Sequence, residues 1–149
     1  KHVFGDNARC YFVEPTHSPC MLLGLMTGEH ERVSVGDFGI DNITDADGLA
    51  VGRPSGLVGR LLQRLISGVF TVDDDDLYEF LALLKDSEGI KAEPSAAAGF
   101  TGPLQLQRFK GNHGGDGISH IVWATGGLFV PDTQMDAFYK KGKELLSKR

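Results

Sequence analysis

The chain has 149 residues and a net charge of -5, with a pI near 5.4. This length suits one domain, or one lobe of a larger enzyme. Because an acidic chain without a basic face attracts neither nucleic acid nor an anionic membrane, we expect neither of them as a partner. The basic residues between positions 140 and 149 suit the solvated end of a helix.

The cysteines and the apolar runs of the sequence bear on the cellular compartment of the protein. Cys10 and Cys20 are too few for a disulfide framework, and neither a secretory signal nor an apolar run of membrane-spanning length is visible. We therefore expect a reduced, cytoplasmic protein.

The chain opens on Lys1 rather than Met and enters a predicted strand almost at once, which suggests a piece of a longer protein.

The first half of the chain alternates strand and helix patterns. A buried strand is predicted over residues 8–13, followed by a helix with Ser18 as its N-cap and Pro19 at its first position. Residues 27–53 are rich in Gly and Asp and predict a long loop, a length usually associated with function. Residues 55–67 predict a helix that places six aliphatic side chains on one face: Leu57, Val58, Leu61, Leu62, Leu65 and Ile66.

The second half continues this alternation. A short strand is predicted over residues 69–72, and a helix over residues 73–88 that stops at Gly89. A further helix starts in EPSAAAG, a last buried strand covers residues 120–124, and a closing helix covers about residues 133–146. Strands regularly separated by helices predict an α/β fold with three layers, α/β/α, around a mainly parallel sheet.

The helix predicted after residue 72 begins with four consecutive aspartates, residues 73–76. A calcium loop would need spaced ligands and a glycine, and this run has neither. We interpret the aspartates as charges that compensate the helix dipole.

Four stretches at predicted strand ends carry polar or glycine-rich chemistry: EPTHSPC at 14–20, DADGLAVGRPSGLVG at 45–59, EPSAAAG at 93–99 and IVWATGG at 121–127. Because the carboxyl ends of parallel strands share one edge of a sheet, we expect these stretches to meet around one crevice. Taken singly, each has an ordinary explanation. The glycines of the second stretch match no phosphate-loop fingerprint, and Thr125-Gly126-Gly127 suits a plain turn.

The sequence gives little support for a zinc site or for a hydrolase active site. His17, Cys20 and Glu14 include zinc-binding atoms, but no paired C-x-x-C or H-x-x-x-H accompanies them. The chain has no G-x-S-x-G, so a Ser-His-Asp hydrolase is not indicated. Cys20 also has a simpler interpretation as a buried, inert thiol.

In their order and spacing, EPTHSPCMLLG, GIDNITDADGLAVGRPSGLVGR, EPSAAAGFTGP and IVWATGGLFVP resemble the bacterial D-serine dehydratase family. These are pyridoxal-phosphate (PLP) enzymes of fold-type II, related to threonine dehydratase and serine racemase. The resemblance covers nearly the whole chain and is weakest over residues 104–117. It implies a tryptophan synthase β-like fold, in which residues 1–149 form the C-terminal part of the PLP-dependent catalytic domain.

The resemblance also implies an activity, the β-elimination that converts D-serine into pyruvate and ammonia. The partners would be this small-molecule substrate and the remainder of the catalytic domain. The Schiff-base lysine and the phosphate loop would lie upstream of Lys1, so we assign no catalytic residue here and expect the chain alone to be inactive. Two alternatives stay open: another fold-type II lyase or racemase acting on serine or threonine, and a cofactor-free α/β binding domain.

By the same resemblance, four residues face PLP. Thr125 meets the ring nitrogen, Gly48 and Gly126 let the backbone approach the cofactor, and Glu93 projects toward the crevice as an acceptor. A structural role remains open for each of them, as a turn residue for Thr125 and the glycines and as an acid at a helix N-terminus for Glu93.

The turn at residues 14–20 corresponds to a cation site in serine-racemase-like relatives. The matching positions here are Glu14, the carbonyl of Ser18, and Cys20, with His17 beside them. Cys20 stands where the relatives have a second carboxylate, which removes one negative charge. One carboxylate with neutral carbonyls suits a monovalent ion, K⁺ or Na⁺, better than Mg²⁺ or Ca²⁺.

Overall fold

The computed structural model describes residues 1–110 and 117–149. The strands are β1 (Tyr11–Pro15) and β2 (Gly68–Val72); the helices are α1 (Cys20–Thr27), α2 (Gly56–Leu62), α3 (Asp74–Glu88), α4 (Pro94–Ala97), α5 (Thr101–Lys110) and α6 (Asp132–Leu146). The loop predicted over residues 27–53 contains three short 3₁₀ turns: His30–Arg32, Val35–Phe38 and Asp47–Leu49. Within the stretch of weakest resemblance, residues 111–116 lie outside the described residues.

The sheet determines how the helices are layered. β1 and β2 pair in parallel, with Tyr11 opposite Gly68. Successive side chains of a strand point to opposite faces. On one face Glu14 bonds to the start of α1, and on the other Phe70 stacks on Phe109 of α5. Helices cover both faces of a parallel sheet, which confirms the predicted α/β class and its layering.

The core consists of two buried clusters, and both include residues of α3. The first joins α3 to the sheet and to the loop before α2, through Ala46, Val72, Leu77 and Ala98. The second consists of Tyr78, Leu81 and Ala97, and Phe138 of α6 packs against it. Leu77 and Leu81 are the most deeply buried leucines of α3, at 0% and 2% exposed.

The start of α1 differs from the prediction. Pro19, not Ser18, is its N-cap residue, and Pro19 makes no side-chain capping bond. The Ser18 hydroxyl is used elsewhere, because it donates to Asn42 Oδ1 at 2.7 Å and to the Val51 carbonyl at 3.1 Å. The free amides at the start of α1 bond instead to a carboxylate from the end of β1.

The aliphatic side chains predicted to share one helical face at residues 55–67 lie largely at the surface. Leu57 and Leu61 are 65% and 63% exposed, and Leu65 is also exposed. α2 turns a different face inward: Gly56 and Gly59 are buried, because Glu31 and His30 lie directly against them. Leu62 and Ile66 are half-buried.

The buried strand predicted over residues 120–124 is also absent. This segment is irregular, and Ile121 and Trp123 are 90% and 83% exposed. A strand forms only when a neighbouring strand accepts its backbone hydrogen bonds, and β1 and β2 pair with each other and with no third strand in the described residues. The Val122 side chain nevertheless lies close to Gly99, so the segment runs beside the end of α4.

No helix within residues 1–110 and 117–149 combines the length and the apolar character that crossing a membrane requires.

The contact between α3 and α6 depends on the missing side chain of Gly142. A Cβ at this buried position would overlap the carbonyl of Tyr78 and lie 2.8 Å from the Cβ of Ala82. The two helices can therefore approach closely only where α6 carries glycine.

We predict that Gly142→Ala lowers the free energy of unfolding by about 1–3 kcal/mol, because the added methyl forces α6 away from α3. Gly102→Ala on α5 is the matched control, since a Cβ there meets nothing within 4 Å and alanine favours a helix. Urea unfolding followed by circular dichroism measures both. Equal stability of the two variants would contradict this account of the helix contact.

Candidate functional site

A buried carboxylate organises the end of β1. Glu14 is 8% exposed, and its two oxygens accept hydrogen bonds from the amides of Met21 and Leu22, each at 2.8 Å. Burial raises the pKa of Glu14, while these amides and a bond from the Cys20 thiol oppose the rise. The carboxylate therefore bonds to the first turn of α1 and joins this helix to the strand.

The Cys20 thiol lies against the same carboxylate. Cys20 is 4% exposed, and its burial, together with the negative charge of Glu14, raises its pKa to about 11. The thiol consequently keeps its proton at neutral pH and donates it to Glu14. The thiol therefore adds no negative charge to the turn beside Glu14.

The loop before α2 closes over the turn at residues 14–20. The Ser18 hydroxyl bonds to both Asn42 and Val51, and His17 Nδ1 lies 2.8 Å from Asp41 Oδ1. The hydrogen bond to Asp41 raises the pKa of His17. Asn42 adopts a positive φ of 60°, a conformation that asparagine tolerates better than most residues and that brings its side chain to Ser18.

Gly48 lies in the same loop, on the turn Asp47–Leu49. Its amide donates to the Ser95 hydroxyl of α4 at 3.0 Å, and a Cβ at Gly48 would lie 3.1 Å from that hydroxyl oxygen. Buried Ala46 and half-buried Leu49 fix the turn to the core on either side of Gly48. Gly48 itself remains exposed.

Glu93 meets the glycines of the last motif. Glu93 is the N-cap residue of α4, and its amide donates to the Gly126 carbonyl at 3.3 Å. A Cβ at Gly126 would overlap the Glu93 carboxylate. Gly127 is buried at a φ of 134°, where a Cβ would lie 2.8 Å from the Lys91 carbonyl oxygen. Thr125, directly before these glycines, is exposed.

These bonds join all four predicted stretches in sequence. Ser18 links the first to the second through Val51, Gly48 links the second to the third through Ser95, and Glu93 links the third to the fourth. The expectation that the stretches meet is confirmed by these contacts. The roles predicted for the individual residues toward a cofactor or cation stay predictions.

Ser95 and Asn42 were missed by the sequence reasoning. Ser95 lies inside EPSAAAG, so its place in the first turn of a predicted helix was a usable signal. No local pattern marks Asn42, because its partner Ser18 is 24 residues away.

In residues 1–110 and 117–149, no three side chains of the His, Cys, Asp or Glu type are grouped so that they could hold a metal ion. The zinc interpretation of His17, Cys20 and Glu14 gains no support there.

Comparison with known proteins agrees with the resemblance of the motifs. The model of the family described as pyridoxal-phosphate dependent enzyme matches residues 1–122. A Pseudomonas aeruginosa protein named probable D-serine dehydratase is 56% identical over 98% of this chain and 35% of its own length. A Geobacillus kaustophilus protein of the same name is 54% identical over 97% of this chain and 35% of its own length. The chain thus spans about a third of the length of these curated relatives.

Solved structures show the same fold at low identity. Maize serine racemase superposes with a TM-score of 0.70 and 21% identity, over 93% of this chain and 41% of the racemase. Threonine deaminase isoform 2 from Solanum lycopersicum superposes with a TM-score of 0.67 and 21% identity, over 91% of this chain and 38% of the deaminase.

We predict that thiol reagents at pH 8 modify Cys10 in the native protein and leave Cys20 unmodified. Cys10 is exposed, whereas a thiol with a pKa of about 11 is ionised to only about one part in a thousand at that pH. Mass spectrometry of the alkylated protein identifies the site. In Cys10→Ser, labelling should begin only after urea is added; rapid labelling of that native variant would contradict the prediction.

Proposed function

Because this chain belongs to the family of pyridoxal-phosphate-dependent enzymes, we propose that it forms part of a D-serine dehydratase. The observation that carries the proposal is 54–56% identity, over 97–98% of the chain, to proteins named probable D-serine dehydratase. The activity is proposed for a protein that also contains the rest of the catalytic domain, with residues 1–149 as its C-terminal part. That remainder would supply the Schiff-base lysine and the phosphate loop.

The proposed reaction removes the Cα proton and the β-hydroxyl of D-serine as water. The resulting 2-aminoacrylate tautomerises and takes up water, which yields pyruvate and ammonia. When bound, PLP supplies the electron sink that makes the Cα proton removable. The residues of this chain would position the cofactor and set the polarity around it.

The joined motifs fit a flat aromatic cofactor. Gly48 and Thr125 are exposed. The segments that carry them are nevertheless fixed. The Gly48 amide donates to the Ser95 hydroxyl, and the Gly126 carbonyl accepts from the Glu93 amide. Glycine at 48 and 126 lets these segments pack closely, since a Cβ would press on Ser95 at position 48 and overlap Glu93 at position 126. These features support Gly48, Gly126 and Glu93 as residues that hold PLP.

Thr125 is proposed to bond to the ring nitrogen of PLP through its hydroxyl. A neutral hydroxyl stabilises a protonated pyridine nitrogen less than a carboxylate does, so the nitrogen would stay mostly unprotonated. A hydroxyl at this position would therefore set a moderate electron demand, which suits elimination of the β-hydroxyl better than racemisation.

We also propose that Glu14, the Ser18 carbonyl and Cys20 hold K⁺ or Na⁺. A carboxylate has about four acceptor positions, and the Met21 amide, the Leu22 amide and the Cys20 thiol use three of them. The position that remains, with one net charge at the turn, supports a weakly bound monovalent ion. A divalent ion would need more charged oxygens than this turn offers.

The proposed partners are D-serine as a small-molecule substrate and the remainder of the catalytic domain. The free thiols of Cys10 and Cys20 support a reducing compartment, and we propose the cytoplasm.

We predict that the full-length protein carrying this chain releases pyruvate from D-serine faster than from L-serine or L-threonine.

We also predict that Thr125→Ala lowers kcat by about 10- to 100-fold, because one hydrogen bond to the cofactor is lost, while Thr125→Ser keeps most activity. A coupled pyruvate assay measures both effects. Equal kcat values for the two variants would remove the assigned role of Thr125, and preference for L-threonine would favour another lyase of this fold.

We predict that K⁺ raises both the activity and the thermal midpoint of the full-length protein, and that Mg²⁺ does neither, because only a monovalent ion suits the single charge. Glu14→Gln should weaken the response to K⁺. Cys20→Asp should shift the preference toward a divalent ion, whereas the control Cys20→Ser, which adds no charge, should not. Indifference of the wild type to K⁺ would overturn the cation proposal and leave the PLP proposal standing.

A further inference from the structure

The four aspartates at the start of α3 have different surroundings, although their sequence suggested one shared role. The Asp73 carboxylate accepts from the Thr16 hydroxyl at 2.7 Å. The Asp74 carboxylate accepts from the Thr44 hydroxyl at 2.5 Å and from the Asp45 amide at 2.7 Å. Asp75 is exposed. Compensation of the helix dipole applies to all of them and does not explain these long-range bonds.

We propose that Asp74 is a positioning residue for the turn that carries Gly48. This inference rests on the proposed function, because it assumes that Gly48 faces PLP. The two donors from residues 44 and 45 reach the two different oxygens of Asp74. A carboxylate can accept both bonds, whereas an amide side chain offers one acceptor oxygen and places an NH₂ group against the other donor.

A continuous series of hydrogen bonds connects Asp74 to the turn around Gly48. The Thr44 hydroxyl that donates to Asp74 also accepts from the Ala46 amide at 3.1 Å. Ala46 is fully buried, and its carbonyl accepts from the Leu49 amide at 2.8 Å, which closes the turn around Gly48. The Gly48 amide then points to Ser95. Asp74 therefore fixes the entry to this turn, and Ser95 fixes Gly48 itself.

The same loop also forms an ion pair, which constrains it less than the hydrogen bonds to Asp74 do. The Asp45 carboxylate lies 3.1 Å from Lys141 Nζ of α6, with both side chains about half exposed. Water screens an exposed ion pair of this kind, so it contributes little to the position of the loop. The half-buried bond from Thr44 to Asp74, with the Asp45 amide bond beside it, carries the constraint.

The test measures PLP affinity by fluorescence titration of the apo form of the full-length protein that carries this chain. We expect Asp74→Asn to weaken PLP binding by roughly tenfold, the effect of losing one charge-assisted hydrogen bond. Asp75→Asn is the matched control, because it removes the same charge from the same helix turn, and its PLP affinity should equal that of the wild type.

A double-mutant cycle with Thr44→Val separates positioning from a general loss of stability. If Asp74 acts through Thr44, the effects of Asp74→Asn and Thr44→Val on PLP affinity are clearly less than additive. Additive effects, or an Asp74→Asn affinity equal to that of Asp75→Asn, overturn the positioning role while the proposed function stands. A wild type that does not bind PLP overturns both.

Discussion

The buried carboxylate of Glu14 is the constraint on which the site depends. An unpaired charge in this environment would cost several kcal/mol, so the structure must provide donors for it. It provides the amides of Met21 and Leu22 and the thiol of Cys20, together with the favourable end of a helix dipole. The end of β1, the turn and the first residues of α1 are thereby fixed relative to one another. The other motifs attach to this fixed turn, first through Ser18.

The regular elements with strong local patterns were predictable from the sequence. α3 and α6 follow their amphipathic periodicity, and Gly89 ends α3 at a φ of 69° as expected for a C-terminal glycine. The N-cap of α1 was not predictable, because the groups that satisfy its amides belong to Glu14, seven and eight residues earlier. The buried strand predicted over residues 120–124 is absent for a related reason, since both pairing and burial of a strand depend on neighbouring elements that a local pattern does not contain.

The location of the site was more predictable than its internal contacts. The expectation that the four stretches meet rested on parallel strands ending at one edge of a sheet. Among the described residues only the first stretch follows a strand, and hydrogen bonds to Val51, Ser95 and Gly126 bring the others together. The aspartates at the start of α3 show a further limit of sequence reasoning. Asp74 bonds to Thr44, 30 residues earlier, and nothing in the local acidic run distinguishes it from Asp75. Only the path of the intervening loop makes them different.

The bonds between the motifs have a consequence for how such a site changes in evolution. Each link uses at least one main-chain atom: the Val51 carbonyl, the Gly48 amide, or the Glu93 amide with the Gly126 carbonyl. Main-chain atoms persist when side chains are replaced, so this arrangement tolerates extensive sequence drift while the path of the backbone is kept. A backbone fixed through its own atoms suits a fold that solved structures share at only 21% identity.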